Sequence, residues 1–259
     1  MNNGYEGAII SKPVLDTAYL PPATLLQNGS LFLDLDGTLL DLIDQPGEVV
    51  ADADLCSLLE NLERHLEGRL AIVSGRSLAQ LDEILGPTGQ QIALSGSHGC
   101  EHRWHSISAQ PVRPDTLDAA AQRIDAFVRR NPGTLIEEKS FGVTLHFRMR
   151  PQVEADARKL AEAIAADLGL YLQEGKMMFE LRVPGGDKGI ALRRLMNHSP
   201  MRGTVPVFLG DDRTDEPAFV AAAELGGAGV LVGEPRLTAA RYRLRDPAAV
   251  RAWLADAIA

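Results

Sequence analysis

Cysteine is scarce in this chain: Cys56 and Cys100 are the only two in 259 residues. Neither a disulfide framework nor a cysteine-based metal cluster is therefore expected, and a reducing, cytoplasmic setting suits the chain. Long apolar runs are missing too. No stretch approaches the roughly 20 apolar residues that span a bilayer, and no basic segment followed by an apolar run opens the sequence, so no membrane partner is expected. Basic residues are outnumbered, 26 Lys and Arg against 35 Asp and Glu, for a formal net charge of -9. That balance argues against nucleic acid or anionic lipid as a partner, since both demand a basic surface; an anionic ligand must be held by a local site. The arginines between Arg123 and Arg130 fall at helical spacing and read as a solvated helix face. His65, His102, His105 and His198 lack metal-ligand spacing. No repeat of solenoid length is visible, and the first 25 or so residues carry little periodic signal.

What is present is an ordinary globular composition, 45% hydrophobic and 24% charged, at a length that permits one large domain or two modest ones. Three apolar runs of strand length each stop abruptly at a polar turn. Residues Leu31 to Leu35 end in Asp36-Gly37-Thr38, Arg69 to Val73 in Ser74-Gly75-Arg76, and Val205 to Leu209 in Gly210-Asp211-Asp212. Helical periodicity follows each, as in Leu78, Leu81 and Leu85 and again from Glu216 to Leu225. Strands alternating with helices predict an α/β fold with a parallel sheet covered on both faces, whose ligands sit outside the carboxyl ends of the strands. The polar clusters fall at those ends.

The middle of the chain differs. Helices are expected at Thr116 to Arg130 and Gln152 to Leu168, with strands at Thr134 to Lys139, Gly142 to Arg148, Leu170 to Gln173 and Met178 to Arg182. Paired strands of alternating polarity with two helices predict an antiparallel sheet covered on one face. The expectation is a discontinuous core, residues 1–103 and 187–259, interrupted by an α+β domain at 104–186.

Asp34 and Asp36 lie two apart at a strand end, so their side chains can share one side of the turn and one Mg²⁺, a hard cation that prefers oxygen. Such an ion offsets the repulsion between an anionic nucleophile and a phosphate. Thr38 and the turn amides can donate to phosphoryl oxygens. Asp211, Asp212 and Asp215 form a second acidic cluster able to complete the oxygen shell, although Asp215 and Glu216 also suit the role of helix N-terminal caps. Lys188 precedes a helix from Ile190 to Met196 and reads equally well as an exposed first-turn residue; Ser74 reads equally well as an N-cap.

The ordered clusters Asp34-Leu35-Asp36-Gly37-Thr38-Leu39, Ser74-Gly75-Arg76, Lys188-Gly189 and Gly210-Asp211-Asp212 resemble the four motifs of the haloacid dehalogenase superfamily of phosphatases. The resemblance implies a Rossmann-like core of the haloacid dehalogenase fold with an inserted cap domain. It implies that Asp34 becomes phosphorylated and that Asp36 acts as general acid and then base. Ser74 and Lys188 would hold the phosphoryl group. Asp34, Asp36 and Asp211 would ligate Mg²⁺, with Asp212 and Asp215 in support.

Three further segments, Gly96-Ser97-His98-Gly99-Cys100-Glu101-His102-Arg103, Glu137-Glu138-Lys139 with the later His146-Phe147-Arg148, and Gly175-Lys176 with Glu180-Leu181-Arg182, place charged groups at short spacing inside or beside apolar strands. Each alone could be a cross-strand ion pair. In order and in register they resemble the trehalose-6-phosphate phosphatase family, over roughly residues 29 to 255. That resemblance implies a small-molecule substrate, trehalose 6-phosphate, whose distal glucose would be gripped by Glu137, Lys139, Lys176 and Glu180, with Arg76 and His98 near the junction of the domains. Hydrolysis of that ester would be the last step of trehalose biosynthesis, and a monomer is expected. Another capped sugar-phosphate phosphatase or a phosphomannomutase of the same superfamily would keep Asp34 and Asp36 but use different cap residues.

Overall fold

The computed structural model describes residues 20–42, 50–104, 107–109 and 112–259. The expected features of the N-terminal segment, and His105, lie outside them. Two sheets organise the chain. The first contains β1 (Gly29–Leu33), β2 (Leu70–Val73), β3 (Ala93–Gly96), β4 (Glu101–Trp104) and β5 (Ile107–Ala109). After the second sheet it resumes with β10 (Val205–Gly210), β11 (Ala228–Val232) and β12 (Tyr242–Leu244), in the order β12-β11-β10-β1-β2-β3-β4-β5. Pairing is parallel from β12 to β3 and antiparallel from β3 to β5. The expected boundary at 104 thus falls inside a hairpin: β5 pairs with β4 in the first sheet, so the chain leaves that sheet only after Ala109.

β1 shows why its sequence is uniformly apolar. Leu31 and Leu33 join one core cluster with α1 (Ala53–His65), α2 (Leu78–Leu85) and α7 (Pro247–Ala257). Phe32 joins another on the opposite face with α5 (Lys188–Met196) and α6 (Glu216–Glu224). A parallel strand covered on both faces has no polar side to alternate with. α5 and α6 pack closely enough that a Cβ on Gly189 would lie 2.4 Å from the carbonyl oxygen of Pro217.

The second sheet is antiparallel, with β6 (Leu135–Lys139), β7 (Gly142–His146), β8 (Tyr171–Gly175) and β9 (Met178–Arg182) in the order β6-β7-β9-β8. Here the period of two is visible. Val143, Leu145, Phe179 and Leu181 pack on α3 (Asp115–Arg130) and α4 (Glu154–Leu168). The intervening residues share the other face, and register aligns Glu137, Thr144, Glu180 and Gln173 in one cross-strand row. On α3, Arg123 pairs with Asp167 and Arg129 with Asp125 at the surface.

Candidate active site

Register brings the three polar turns together. Leu33 is opposite Ile72 on one side and Leu209 on the other, so Asp34, Ser74 and Asp211 emerge from neighbouring carboxyl ends. The Asp34 amide donates to the Leu209 carbonyl at 2.9 Å, fixing the backbone of the first residue past the strand.

Lys188, the first residue of α5, is buried rather than exposed. Its Nζ donates to Asp34 Oδ1 at 2.7 Å and Asp215 Oδ1 at 2.6 Å. Helix capping falls to its neighbour Asp187, whose side chain accepts from the Ile190 amide. Burial lowers the ammonium's proton affinity, but the charges of Asp215 and Asp34 more than reverse this and hold Lys188 above its ordinary value. Asp34 is driven well upward, first by burial and then by Asp215 and Asp211, against the pull of Lys188. Thr38 Oγ1 lies 3.3 Å from Asp34 Oδ2.

Ser74 is buried at the end of β2, and its Oγ accepts from the Arg76 amide at 3.1 Å. It caps no helix: the N-cap of α2 is Ser77, in a capping box with Gln80. Arg76 forms a bidentate pair with Asp36, both contacts at 2.6 Å. The Asp36 carboxylate is thereby directed at Arg76, while carboxylate oxygens of Asp34, Asp211 and Asp215 lie within 4.8 Å of one another. Asp212 accepts from the Arg213 amide, and its own amide donates to Asp215 Oδ2 at 2.9 Å. Asp215 makes no side-chain cap bond to α6, being turned toward Lys188 and Asp212.

Burial and the charge of Asp215 push Asp211 up to about 7. Three crowded carboxylates of this kind, two of them buried, form a donor set that suits a hard divalent cation. In the ion-free chain the native state holds the Asp211 proton more tightly than the unfolded state, so stability falls as pH rises between the ordinary 3.8 and about 7. Cation binding must displace that proton. Affinity for a divalent cation is expected to drop by about ten-fold per pH unit below neutrality, read by titrating the melting temperature with Mg²⁺ at several pH values. A flat affinity across that window would contradict a cation site at Asp211.

Gly37 makes the cluster sterically possible. Its φ is +79°, and a Cβ there would stand 2.1 Å from Asp211 Oδ2. Gly37→Ala is expected to cost activity by at least about 100-fold, because the carboxylate must move by more than a bond length. Phosphate release by the folded variant measures it.

Across the gap, the polar face of the second sheet meets the first domain. His98, on the turn after β3, lies 3.5 Å from Glu180, and Lys139 Nζ lies 3.2 Å from the other oxygen of the same carboxylate. Burial raises Glu180, but the His98 contact and the Lys139 charge outweigh it and hold Glu180 at about 2. Burial lowers His98. Glu137 is held by His146 at 2.9 Å and by the Gln80 amide at 3.2 Å. Lys176 is exposed at the β8–β9 turn. The four residues expected to contact a sugar thus divide into the Lys139–Glu180 pair, a half-buried Glu137 held by His146 and Gln80, and an exposed Lys176.

Two positions escaped the sequence reading. Gln80 was legible as the last residue of a Ser-x-x-Gln capping box, but not as a tie to Glu137. Glu216 accepts from the Ala239 amide at 2.8 Å and from Arg236, which also donates to the Asp212 carbonyl at 2.7 Å, so the β11–β12 loop clamps the acidic turn. A lone arginine in an irregular loop gives no signal for this.

A parallel sheet with two aspartates, a serine, a lysine and an acidic turn at its carboxyl edge, covered by an inserted sheet, defines a phosphatase of the haloacid dehalogenase class. The fold is shared with a phosphatase of that superfamily from Bacteroides thetaiotaomicron, at 15% identity and a TM-score of 0.60 over 87% of this chain and 92% of that one. Within the class the assignment narrows. The family model described as trehalose-phosphatase matches residues 32–248. Trehalose-6-phosphate phosphatase of Escherichia coli (strain K12) is 36% identical over 227 residues, 86% of this chain and 84% of that protein. A solved trehalose-6-phosphate phosphatase related protein is 31% identical with a TM-score of 0.76, over 87% of this chain and 95% of that one. The chain belongs to the trehalose-phosphatase family. No helix among the described residues is long and apolar enough to cross a membrane.

Proposed function

We propose that this chain hydrolyses trehalose 6-phosphate to trehalose and inorganic phosphate through a phosphorylated Asp34, the last step of trehalose biosynthesis. The observation that carries the chemistry is the buried Asp34 carboxylate held by Lys188 Nζ at 2.7 Å, with Asp36 on the same turn. The substrate rests on family membership and on the polar cap face that meets His98 and Gln80.

Asp34 attacks phosphorus; its new O–P bond forms as the bond from phosphorus to the sugar oxygen breaks. Asp36, which enters this step protonated and with its Arg76 pair opened, gives a proton to that leaving oxygen, a contribution typically worth 10²- to 10⁴-fold. Asp36 then takes a proton from the water that attacks phosphorus, and Asp34 is released. Splitting one hard displacement into two easier ones is the advantage of the covalent route. Ser74 and Lys188 hold phosphoryl oxygens, and Arg76 keeps Asp36 at the turn. Mg²⁺ is the proposed ion, supplying positive charge against the phosphoryl group, with Asp34, Asp36 and Asp211 as proposed ligands and Asp212 and Asp215 in support. The proximity of Asp215 to Asp34 and Asp211 supports a larger share for Asp215.

Glu137, Lys139, Lys176 and Glu180 are the proposed contacts to the distal glucose, with Arg76 and His98 between the domains. The same reading has the chain act as a cytoplasmic monomer without a nucleic-acid partner, its cap following the hairpin that ends at Ala109 and running to about residue 186. Phosphate release from trehalose, sucrose and mannose 6-phosphates, with and without Mg²⁺, tests it. Preference for trehalose 6-phosphate with loss of turnover on chelation is expected; equal or better turnover of mannose 6-phosphate would favour another sugar phosphatase.

A further inference from the structure

A cleft of about 350 Å³ opens between the two sheets on the β8 side. Lys188 and His98 line it, so it is continuous with the phosphoryl end of the site. Its wall on the inserted domain is built from Tyr171, Gln173 and Arg182; Arg213 and Thr214 face them from the acidic turn. Glu137, by contrast, belongs to β6 at the far edge of the second sheet, where Gln80 and His146 engage it.

The chemistry of the β8 wall suits a sugar ring. The Arg182 guanidinium lies over one face of the Tyr171 ring at 4.4 Å, steadying the aromatic plane, yet Tyr171 leaves 51% of its surface exposed. Aromatic faces combine apolar area with little conformational entropy to lose, which suits the C–H faces of a pyranose. Arg182 Nε also donates to Gln173 Oε1 at 3.2 Å, which turns the amide NH₂ of Gln173 away from Arg182 as a donor. Gln173 is opposite Glu180 and Tyr171 opposite Arg182, so this wall extends the polar face of the sheet to its edge. The volume is in the range of small-molecule sites, with room for a second ring beyond the one bearing the phosphate.

We propose that Tyr171 and Gln173, braced by Arg182, form the outer sugar subsite and set the preference for a disaccharide phosphate over a monosaccharide phosphate. This rests on the proposed trehalose 6-phosphate reading and adds residues to it. The test compares kcat/KM for trehalose 6-phosphate, glucose 6-phosphate and p-nitrophenyl phosphate, which carries no sugar, in the full chain and in Tyr171→Ala, Gln173→Ala and Tyr171→Phe. Loss of the platform or of the donor is expected to lower the ratio of trehalose 6-phosphate to p-nitrophenyl phosphate turnover by about ten-fold, mainly through KM. Tyr171→Phe keeps the ring and is expected to keep the ratio; a folding defect at the strand edge would instead lower turnover of both substrates together and leave the ratio unmoved in the alanine variants. Unchanged ratios in both alanine variants would overturn the subsite while leaving the trehalose reading standing. A full chain that turns over p-nitrophenyl phosphate but not trehalose 6-phosphate would overturn both.

Discussion

Asp34→Asn is expected to lower phosphate release by about 10⁴-fold or more while the chain stays folded, since removal of a covalent nucleophile leaves only binding and orientation. The near-isosteric amide keeps the shape of the site. It also removes a buried charge that burial and two neighbouring carboxylates already disfavour, so the melting temperature is expected to hold or rise. Lys188 retains Asp215 at 2.6 Å, which limits the cost of losing one partner. The assay is phosphate release beside a thermal melt. Near-normal release by a folded Asp34→Asn variant would remove the nucleophile from the account.

Lys188→Met is expected to lose both activity and stability. Methionine fills similar space but leaves Asp34 and Asp215 buried with no cation between them. Stripping one partner from such an arrangement costs about 3 kcal/mol, which for a chain of this size is about 6 °C in Tm. The sign of the pH dependence follows from the carboxylates. Without Lys188 the Asp34 carboxyl, already held well above its ordinary value, is raised further, so the loss is largest at high pH and shrinks as pH falls toward the ordinary carboxylate range. Mg²⁺, the proposed ion, is expected to recover part of the lost stability, because a cation held only by the folded cluster favours the folded chain. Melting curves across pH, with and without Mg²⁺, check this; a variant as stable as the parent at every pH would show that Lys188 does not neutralise the cluster.

How far the sequence reveals these features depends on whether their cause is local. The apolar stretch Leu31 to Leu33 is legible because β1 is covered on both faces, and the alternation of Val143, Thr144 and Leu145 because β7 is covered on one. Helices α3 and α4 and the four strands of the inserted sheet follow from the same periodicities. Contacts between elements distant in the chain are different. Nothing beside Lys188 in sequence shows that its ammonium is buried between Asp34 and Asp215, since those partners arrive just after β1 and after β10. The same holds for Asp36. Two aspartates two residues apart suggest a shared ion, but Arg76, brought alongside at the end of the neighbouring strand, draws the second carboxylate to itself. Asp215 read as a helix cap for an equally local reason, and the lysine across the sheet edge decides its orientation. The resemblance of the motifs supplied what periodicity could not, which residues act together.

The most direct measurement is acid quenching of the chain during turnover of trehalose 6-phosphate with Mg²⁺, followed by peptide mass spectrometry. The account predicts one added phosphoryl group on the peptide containing Asp34 and none in the Asp34→Asn variant. A phosphoryl group on any other residue, or an adduct that persists in Asp34→Asn, would contradict it.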